Sequence, residues 1–169
     1  MFLIALTTGT RLGEPVAAVK EWYDFAGCIH VPAEFTKMKK AHALPIINLI
    51  REPLVEHISR LPAGAYMFSA PRPKAGVKLS NEVSKWFTRF RRRHKIKRVI
   101  HELRHTWIEA ARESPIKKDI YEIITGYSPK TGSDPYGGEK PHVLMAANEE
   151  VCRQLLDPEM TIAVRRLVS

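Results

Sequence analysis

The chain has 169 residues, of which 44% are hydrophobic, and this indicates one domain with enough apolar side chains for a buried core. Its formal net charge of +9 is typical of a domain that meets a polyanion, most often nucleic acid, although a solvated basic surface without a partner is the alternative. Two cysteines exclude a disulfide framework and a cysteine-based zinc site, and no apolar run approaches the roughly 18 residues of a membrane span. We therefore expect a cytoplasmic protein with no membrane contact.

The first half of the chain predicts three helical segments and a small sheet. The apolar start, MFLIALTTGT, is typical of the end of a buried helix that leads into a turn, and helical spacing follows over residues 12–20. Short extended runs then predict an antiparallel sheet with a basic hairpin tip. The extended runs are residues 22–25, 28–31 and 41–46, the tip is 37–40, and the next helix covers 47–60.

The second half predicts helices separated by loops that are dense in glycine and proline. The loops cover residues 62–78 and 126–141. Ser80 or Asn81 can cap a helix whose apolar face runs from Val83 to Phe90, and helical spacing follows over 101–112, 116–124 and 143–168, with a break at Asp157 and Pro158. The predicted fold class is therefore α+β, mostly α-helical with a small antiparallel sheet near the N-terminus.

Two short basic segments in the first half carry possible chemistry. Arg11 ends a TGTR turn, and Glu14 lies one helical turn further on, where it can brace the guanidinium. An ordinary surface arginine is the alternative interpretation. The segment TKMKK, residues 36–40, places flexible lysines at the hairpin tip, where they can reach a phosphate or form a plain solvated charge run.

Two segments in the second half complete the set. In HELRHT, His101 and Arg104 are three residues apart and share one helix face, whereas we expect His105 to diverge from them. A zinc site does not fit, because neither HExxH nor a CxxC partner is present. In GSDPYGG, Tyr136 lies in a predicted exposed loop, either free to act or packed on a neighbour.

These four segments together resemble the catalytic domain of the tyrosine recombinases, the phage-integrase family. The surrounding VPAEFTKMKKAHALPI is similar to the β-hairpin of integrases, and HELRHT is similar to their histidine–arginine box. The resemblance implies six catalytic residues: Arg11, Lys37, His101, Arg104, Tyr127 and Tyr136. It implies DNA-backbone contacts from Lys39, Lys40, Arg91 and Arg92, the last two within the basic run RFRRRHKIKR.

The resemblance also implies a mechanism for breaking and rejoining DNA in site-specific recombination or integration. Tyr136 attacks a phosphate and forms a 3′-phosphotyrosyl link, Arg11 and Arg104 hold the non-bridging oxygens, Lys37 protonates the leaving 5′-oxygen, and His101 assists. No cofactor or metal is expected, because the covalent link conserves the bond energy. Where the family most often has histidine, this chain has Tyr127, whose phenol can donate one hydrogen bond to a phosphate oxygen but cannot be cationic.

The implied partner is double-stranded DNA, on which a tetramer is expected, with a monomer when free. Residues 1–169 correspond to the catalytic domain alone, without the N-terminal core-binding domain that family members usually carry. The expected location is the nucleoid of a bacterial or phage-host cell. Two alternatives stay open: a DNA-binding remnant of an integrase that has lost or weakened its catalysis, and a type IB topoisomerase, which uses similar residues.

Overall fold

The computed structural model describes residues 1–68, 79–127 and 140–168. The fold is mostly helical with one two-stranded antiparallel sheet, which confirms the predicted class. The elements in chain order are α1 (Phe2–Thr8), α2 (Gly13–Ala17), β1 (Cys28–Val31), β2 (His42–Pro45), α3 (Asn48–Ser59), α4 (Leu79–Arg93), α5 (Glu102–Glu113), α6 (Lys118–Ile124), α7 (Pro141–Leu155) and α8 (Pro158–Val168).

The sheet is the hairpin that the sequence predicts. Cys28 pairs with Pro45 and Val31 pairs with His42, and all four residues of β2 are buried. The basic residues 37–40 lie in the connection between the two strands, as expected. This arrangement places β2 inside the molecule and the lysines outside it.

Residues 22–25 do not form the predicted extended run. A 3₁₀ turn at Lys20–Trp22 is followed by Asp24, whose Oδ1 accepts hydrogen bonds from the backbone N–H groups of Ala26, Gly27 and Cys28, each at 2.9 Å. A side chain that satisfies three backbone donors stabilises a turn in place of a strand. Only an isolated bridge from Tyr23 to Ile29 continues the pairing.

The predicted helix over residues 12–20 is shorter than expected. The helix α2 ends at Ala17 because Val19 pairs with Tyr66 in an isolated bridge, and the Lys20 N–H donates to the carbonyl of Ala65 at 2.9 Å. The other helices agree with the prediction within a few residues, and α7 and α8 are separated where Asp157 and Pro158 were expected to break the tail.

A polar link through the core joins α5, α7 and β2. Trp107 of α5 is fully buried, and its Nε1–H donates to Oδ1 of Asn148 at 3.0 Å. The Asn148 amide in turn donates to the carbonyl of Pro45 at 2.7 Å. The indole of Trp107 and the amide of Asn148 are therefore both paired, and these bonds connect α5 to the hairpin through α7. Trp86 differs from Trp107, since 44% of it is exposed.

No helix within the described ranges has both the length and the apolar character needed to cross a membrane.

Candidate active site

Arg11 lies in the tight turn between α1 and α2. The turn begins at Gly9, which caps α1 in the left-handed conformation with φ 59°. A Cβ atom on Gly9 would lie 2.5 Å from Cε3 of Trp107, so the turn also needs glycine for close packing against α5. The TGTR sequence therefore brings Arg11 up to the face of α5.

Glu14 braces this turn, as its spacing from Arg11 predicts. Its Oε1 lies 3.8 Å from Nη1 of Arg11, and its Oε2 accepts the backbone N–H of Arg11 at 3.3 Å. The Thr10 hydroxyl donates to the same oxygen, and Nε2 of His42 lies 3.3 Å from it. Glu14 is only 1% exposed, so these groups replace its hydration.

The surroundings of Glu14 keep its carboxylate charged. Burial alone would raise the pKa of Glu14, but hydrogen bonding and charge from His42, the Thr10 hydroxyl and the Arg11 charge outweigh it and lower that pKa. At neutral pH a carboxylate therefore lies behind Arg11 and braces its guanidinium.

Arg104 is the buried counterpart of Arg11. It lies on α5 and is 8% exposed, and its Nη1 donates to the carbonyls of Gly9 at 2.6 Å and Thr125 at 3.0 Å. These two bonds tie α5 to the turn after α1 and to the end of α6. The guanidinium is thus fixed by backbone atoms from two other segments.

The two arginines lie close enough for their charges to interact. Burial and the positive charge of Arg11 lower the pKa of Arg104 to about 10, and Glu14 acts in the opposite direction. Arg104 therefore remains cationic at neutral pH. In addition, Nη1 of Arg11 is buried and makes no hydrogen bond to any described residue. Two neighbouring guanidiniums with spare donors form a site suited to an oxyanion.

His101 lies beside this pair, at the N-cap of α5. Burial, then the charges of His105, Arg104 and Arg11, lower the pKa of His101, which makes the neutral imidazole dominant at neutral pH. His101 and Arg104 line one small cavity of about 200 Å³, together with Thr10 and Ser84. A neutral imidazole at this place can accept a proton.

His105 does not line the cavity shared by His101 and Arg104, as its spacing predicts, but its ring still touches that of His101. The two rings contact each other edge to face, with centroids 4.8 Å apart. Residues four apart on a helix are neighbours, and His101 at the N-cap faces the next turn. His105 is exposed, so it contacts His101 from the solvent side.

Tyr127 follows a tight turn at the end of α6. Its N–H donates to the carbonyl of Glu122 at 2.7 Å, and the N–H of Gly126 donates to Ile123 at 3.0 Å, which together form a Schellman cap with Gly126 at φ 67°. The Tyr127 side chain is 57% exposed, and its hydroxyl makes no hydrogen bond to a described residue. The backbone of this turn, rather than the phenol, contacts the arginine pair, through Thr125.

The predicted lysines and the remaining arginines lie on the surface. Lys37, Lys39 and Lys40 are exposed in the β1–β2 connection, and the structure shows no contact of Lys37 with the arginine pair. Arg91 and Arg92 lie in the last turn of α4, where Nη1 of Arg91 donates to the carbonyl of Lys97 at 3.4 Å. The sixth predicted catalytic residue, Tyr136, lies outside the described residues.

The sequence interpretation missed His42. This residue is 4% exposed and reaches Glu14 from β2. A polar side chain at the start of an otherwise apolar strand, HALP, is the signal that could have identified it.

In comparisons with known proteins, no protein-family model, no curated protein and no solved structure matches the chain significantly. Among the described residues, no three histidine, cysteine, aspartate or glutamate side chains cluster as ligands for a metal ion.

Proposed function

We propose that this chain breaks and rejoins DNA through a phosphotyrosyl intermediate, as the catalytic domain of a site-specific recombinase or integrase. The observation that carries the proposal is the pairing of Arg11 with Arg104. They come from distant parts of the sequence, each is fixed by the protein, and their charges interact. Two guanidiniums held close to each other, one buried and one half-buried, repel each other, and an anion bound by both reduces this repulsion.

A phosphodiester at its transition state suits such a pair. Negative charge accumulates on the non-bridging oxygens, and fixed guanidiniums stabilise that charge without reorganising. Glu14 holds Arg11 in place, and the carbonyls of Gly9 and Thr125 hold Arg104. The site is therefore organised before a substrate arrives.

The remaining roles follow the resemblance to the tyrosine recombinases. The Tyr136 oxygen forms a bond to phosphorus as the bond from phosphorus to the 5′-oxygen breaks. The phenol proton passes to the neutral His101, and the Lys37 ammonium protonates the leaving 5′-oxygen. Rejoining reverses these steps. Lys37 is exposed in the connection between β1 and β2, where a bound DNA strand can contact it.

The partner in this proposal is double-stranded DNA, held by backbone contacts from Lys39, Lys40, Arg91 and Arg92. Recombination joins two duplexes, so a tetramer on DNA is the assembly that the proposal implies. In a cell, this places the protein with the nucleoid.

Trapping of a covalent adduct tests the proposal. The full chain is incubated with a pool of nicked duplexes of randomised sequence, in which cleavage releases a short strand and prevents rejoining. We expect wild-type protein to form an adduct that survives denaturation. Tyr136→Phe is expected to abolish the adduct while leaving DNA binding intact, because only one hydroxyl is lost. Tyr66→Phe, which changes an exposed tyrosine elsewhere, is the matched control.

Two results would contradict the proposal in different ways. An adduct that persists in Tyr136→Phe would move the nucleophile to another residue. DNA binding without any adduct, in wild type as well as in the variants, would favour a DNA-binding module that has lost catalysis. In the active protein, Arg104→Ala is expected to weaken both binding and cleavage, since it removes a phosphate contact and transition-state stabilisation.

A further inference from the structure

His42 is a buried histidine that contacts both halves of the arginine site. It begins β2, pairs with Val31 across the hairpin, and is 4% exposed. One side of its ring faces Glu14 and another edge faces Gly126. None of the roles given above to the catalytic residues uses this histidine.

The contact with Glu14 connects His42 to Arg11. Nε2 of His42 lies 3.3 Å from Oε2 of Glu14, an ion-pair distance, although the ring is not aligned for a good hydrogen bond. The same oxygen accepts the backbone N–H of Arg11. Moving the imidazole therefore changes the position of the carboxylate that braces the first arginine.

The contact with Gly126 connects His42 to Arg104. A Cβ atom on Gly126 would lie 2.7 Å from Cε1 and 3.0 Å from Nδ1 of His42, so the glycine backbone packs directly on the ring. The preceding residue, Thr125, supplies a carbonyl that accepts a hydrogen bond from Nη1 of Arg104 at 3.0 Å. The imidazole therefore supports the turn that holds the second arginine.

We propose that His42 is a positioning residue that sets the separation of the two guanidiniums, by holding Glu14 on one side and the Thr125–Gly126 turn on the other. The inference rests on the proposed function only for the identity of the anion, a DNA phosphate. Two features of the ring contribute. Its volume supports Gly126, and its Nε2 lies 3.3 Å from the Glu14 carboxylate, a polar contact that an apolar side chain of similar size cannot replace.

Three substitutions of His42 separate the effect of its side-chain volume from the effect of its polar contact with Glu14. His42→Leu fills much of the space without a donor. His42→Gln places an amide nitrogen near the position of Nε2, where it can donate to Glu14. His42→Asn keeps an amide but is too short to reach Glu14, and it replaces the leucine variant if that variant does not fold. His142→Leu, at an exposed histidine of α7, is the control.

The first measurement needs no DNA cleavage. Side-chain Nε–Hε signals of Arg11 and Arg104 are recorded by nitrogen-15 NMR on the full chain and assigned with Arg11→Lys and Arg104→Lys. We expect both signals to move in His42→Leu and in His42→Asn, and to return toward their wild-type positions in His42→Gln. Unchanged signals in His42→Leu would overturn the proposal, and so would a glutamine variant that behaves like the leucine variant.

The second measurement is the rate of adduct formation on nicked duplexes. We expect His42→Leu to lower that rate by about 100-fold, the order of effect expected from a displacement of about 1 Å at a reacting centre. His42→Gln is expected to restore most of the rate. Equal rates in wild type and His42→Leu would contradict a positioning role. If wild-type protein forms no adduct, the proposed function fails, while the NMR result still decides the role of His42.

Discussion

Glu14 shows how a single buried side chain controls the charge of the site. It is almost fully enclosed, yet the positive and hydrogen-bonding groups around it keep its pKa below the ordinary value. A buried carboxylate of this kind stabilises the folded state only while it is ionised. The free energy of unfolding should therefore depend on pH through this residue.

We expect the stabilising effect of Glu14 to disappear in acid. Because the folded pKa is lower than the unfolded one, the contribution is complete above the ordinary glutamate pKa of about 4.3 and is lost as the pH falls through the lower folded value. Glu14→Gln should destabilise the protein by about 1–3 kcal/mol at pH 7, since partners of a buried charge lose their bonds. Denaturant unfolding of both proteins between pH 3 and pH 7 measures the difference.

Comparing wild type with Glu14→Gln separates the pH dependence that Glu14 gives to the free energy of unfolding from that of other carboxylates. Asp24 also has a lowered pKa: burial opposes the shift, while backbone hydrogen bonds from Cys28 and Gly27 and the contact with His30 produce it. Its contribution is the same in both proteins and cancels. A stability difference that stays constant from pH 7 to pH 3 would show that Glu14 does not titrate as described.

At the scale of elements, the turn between α1 and α2 positions Arg11, and its geometry depends on one glycine. Gly9 is left-handed and packs on Trp107, whereas a Cβ atom on Gly13 would contact nothing within 4 Å. The two glycines lie four residues apart in the same segment. They therefore form a matched pair for substitution by alanine.

We expect Gly9→Ala to destabilise the protein by about 2–4 kcal/mol, because it adds backbone strain and an overpacked contact with Trp107. Gly13→Ala is expected to be neutral or to stabilise α2 by up to about 1 kcal/mol. Thermal unfolding of the two variants measures both effects. Equal melting temperatures for the two variants would mean that Trp107 yields to the added methyl group.

At the scale of the whole molecule, the net charge of +9 should govern affinity for DNA. Binding to duplex DNA releases about 0.9 counterions for each phosphate that the protein neutralises. If Arg91 and Arg92 each contact a phosphate, Arg91→Gln combined with Arg92→Gln should reduce the slope of log K against log salt by about 1–2. Fluorescence anisotropy at several salt concentrations gives this slope.

A control variant removes two arginine charges at positions outside the proposed DNA contact. Arg60, which pairs with Glu56 on α3, and Arg112, in the last turn of α5, are both exposed. Changing these two to glutamine should leave the salt slope almost unchanged. If both double variants lower the slope equally, net charge alone explains the affinity, and the assignment of Arg91 and Arg92 as contacts is wrong.

We expect the free protein to be a monomer of 19.3 kDa. The last helix, α8, packs against α3 of its own chain, and Val164 of α8 is buried there at 5% exposure. A terminal helix that is already docked does not have to bind a neighbouring copy. Sedimentation velocity without DNA measures the mass, and a stable tetramer would contradict this prediction.

The hairpin and most helices could be predicted from local patterns. Cys28–Val31 and His42–Pro45 are apolar runs on either side of a basic turn, and α3 has a continuous helical period. Residues 22–25 have an equally extended composition, but Asp24 satisfies three backbone donors of the following turn. The choice between a strand and a turn here depends on where the Asp24 carboxylate lies, and hydrophobic periodicity carries no information about that position.

For the candidate site, the sequence by itself determined which residue types were present and two local relations. These are the bracing of Arg11 by Glu14 and the position of His101 one turn before Arg104. Both depend only on spacing along one short segment. Only the tertiary structure brought Arg11 next to Arg104 and inserted His42 between Glu14 and Gly126. Those contacts join segments far apart in the chain, and their geometry follows from how α5, α6 and β2 pack around Trp107 and Asn148.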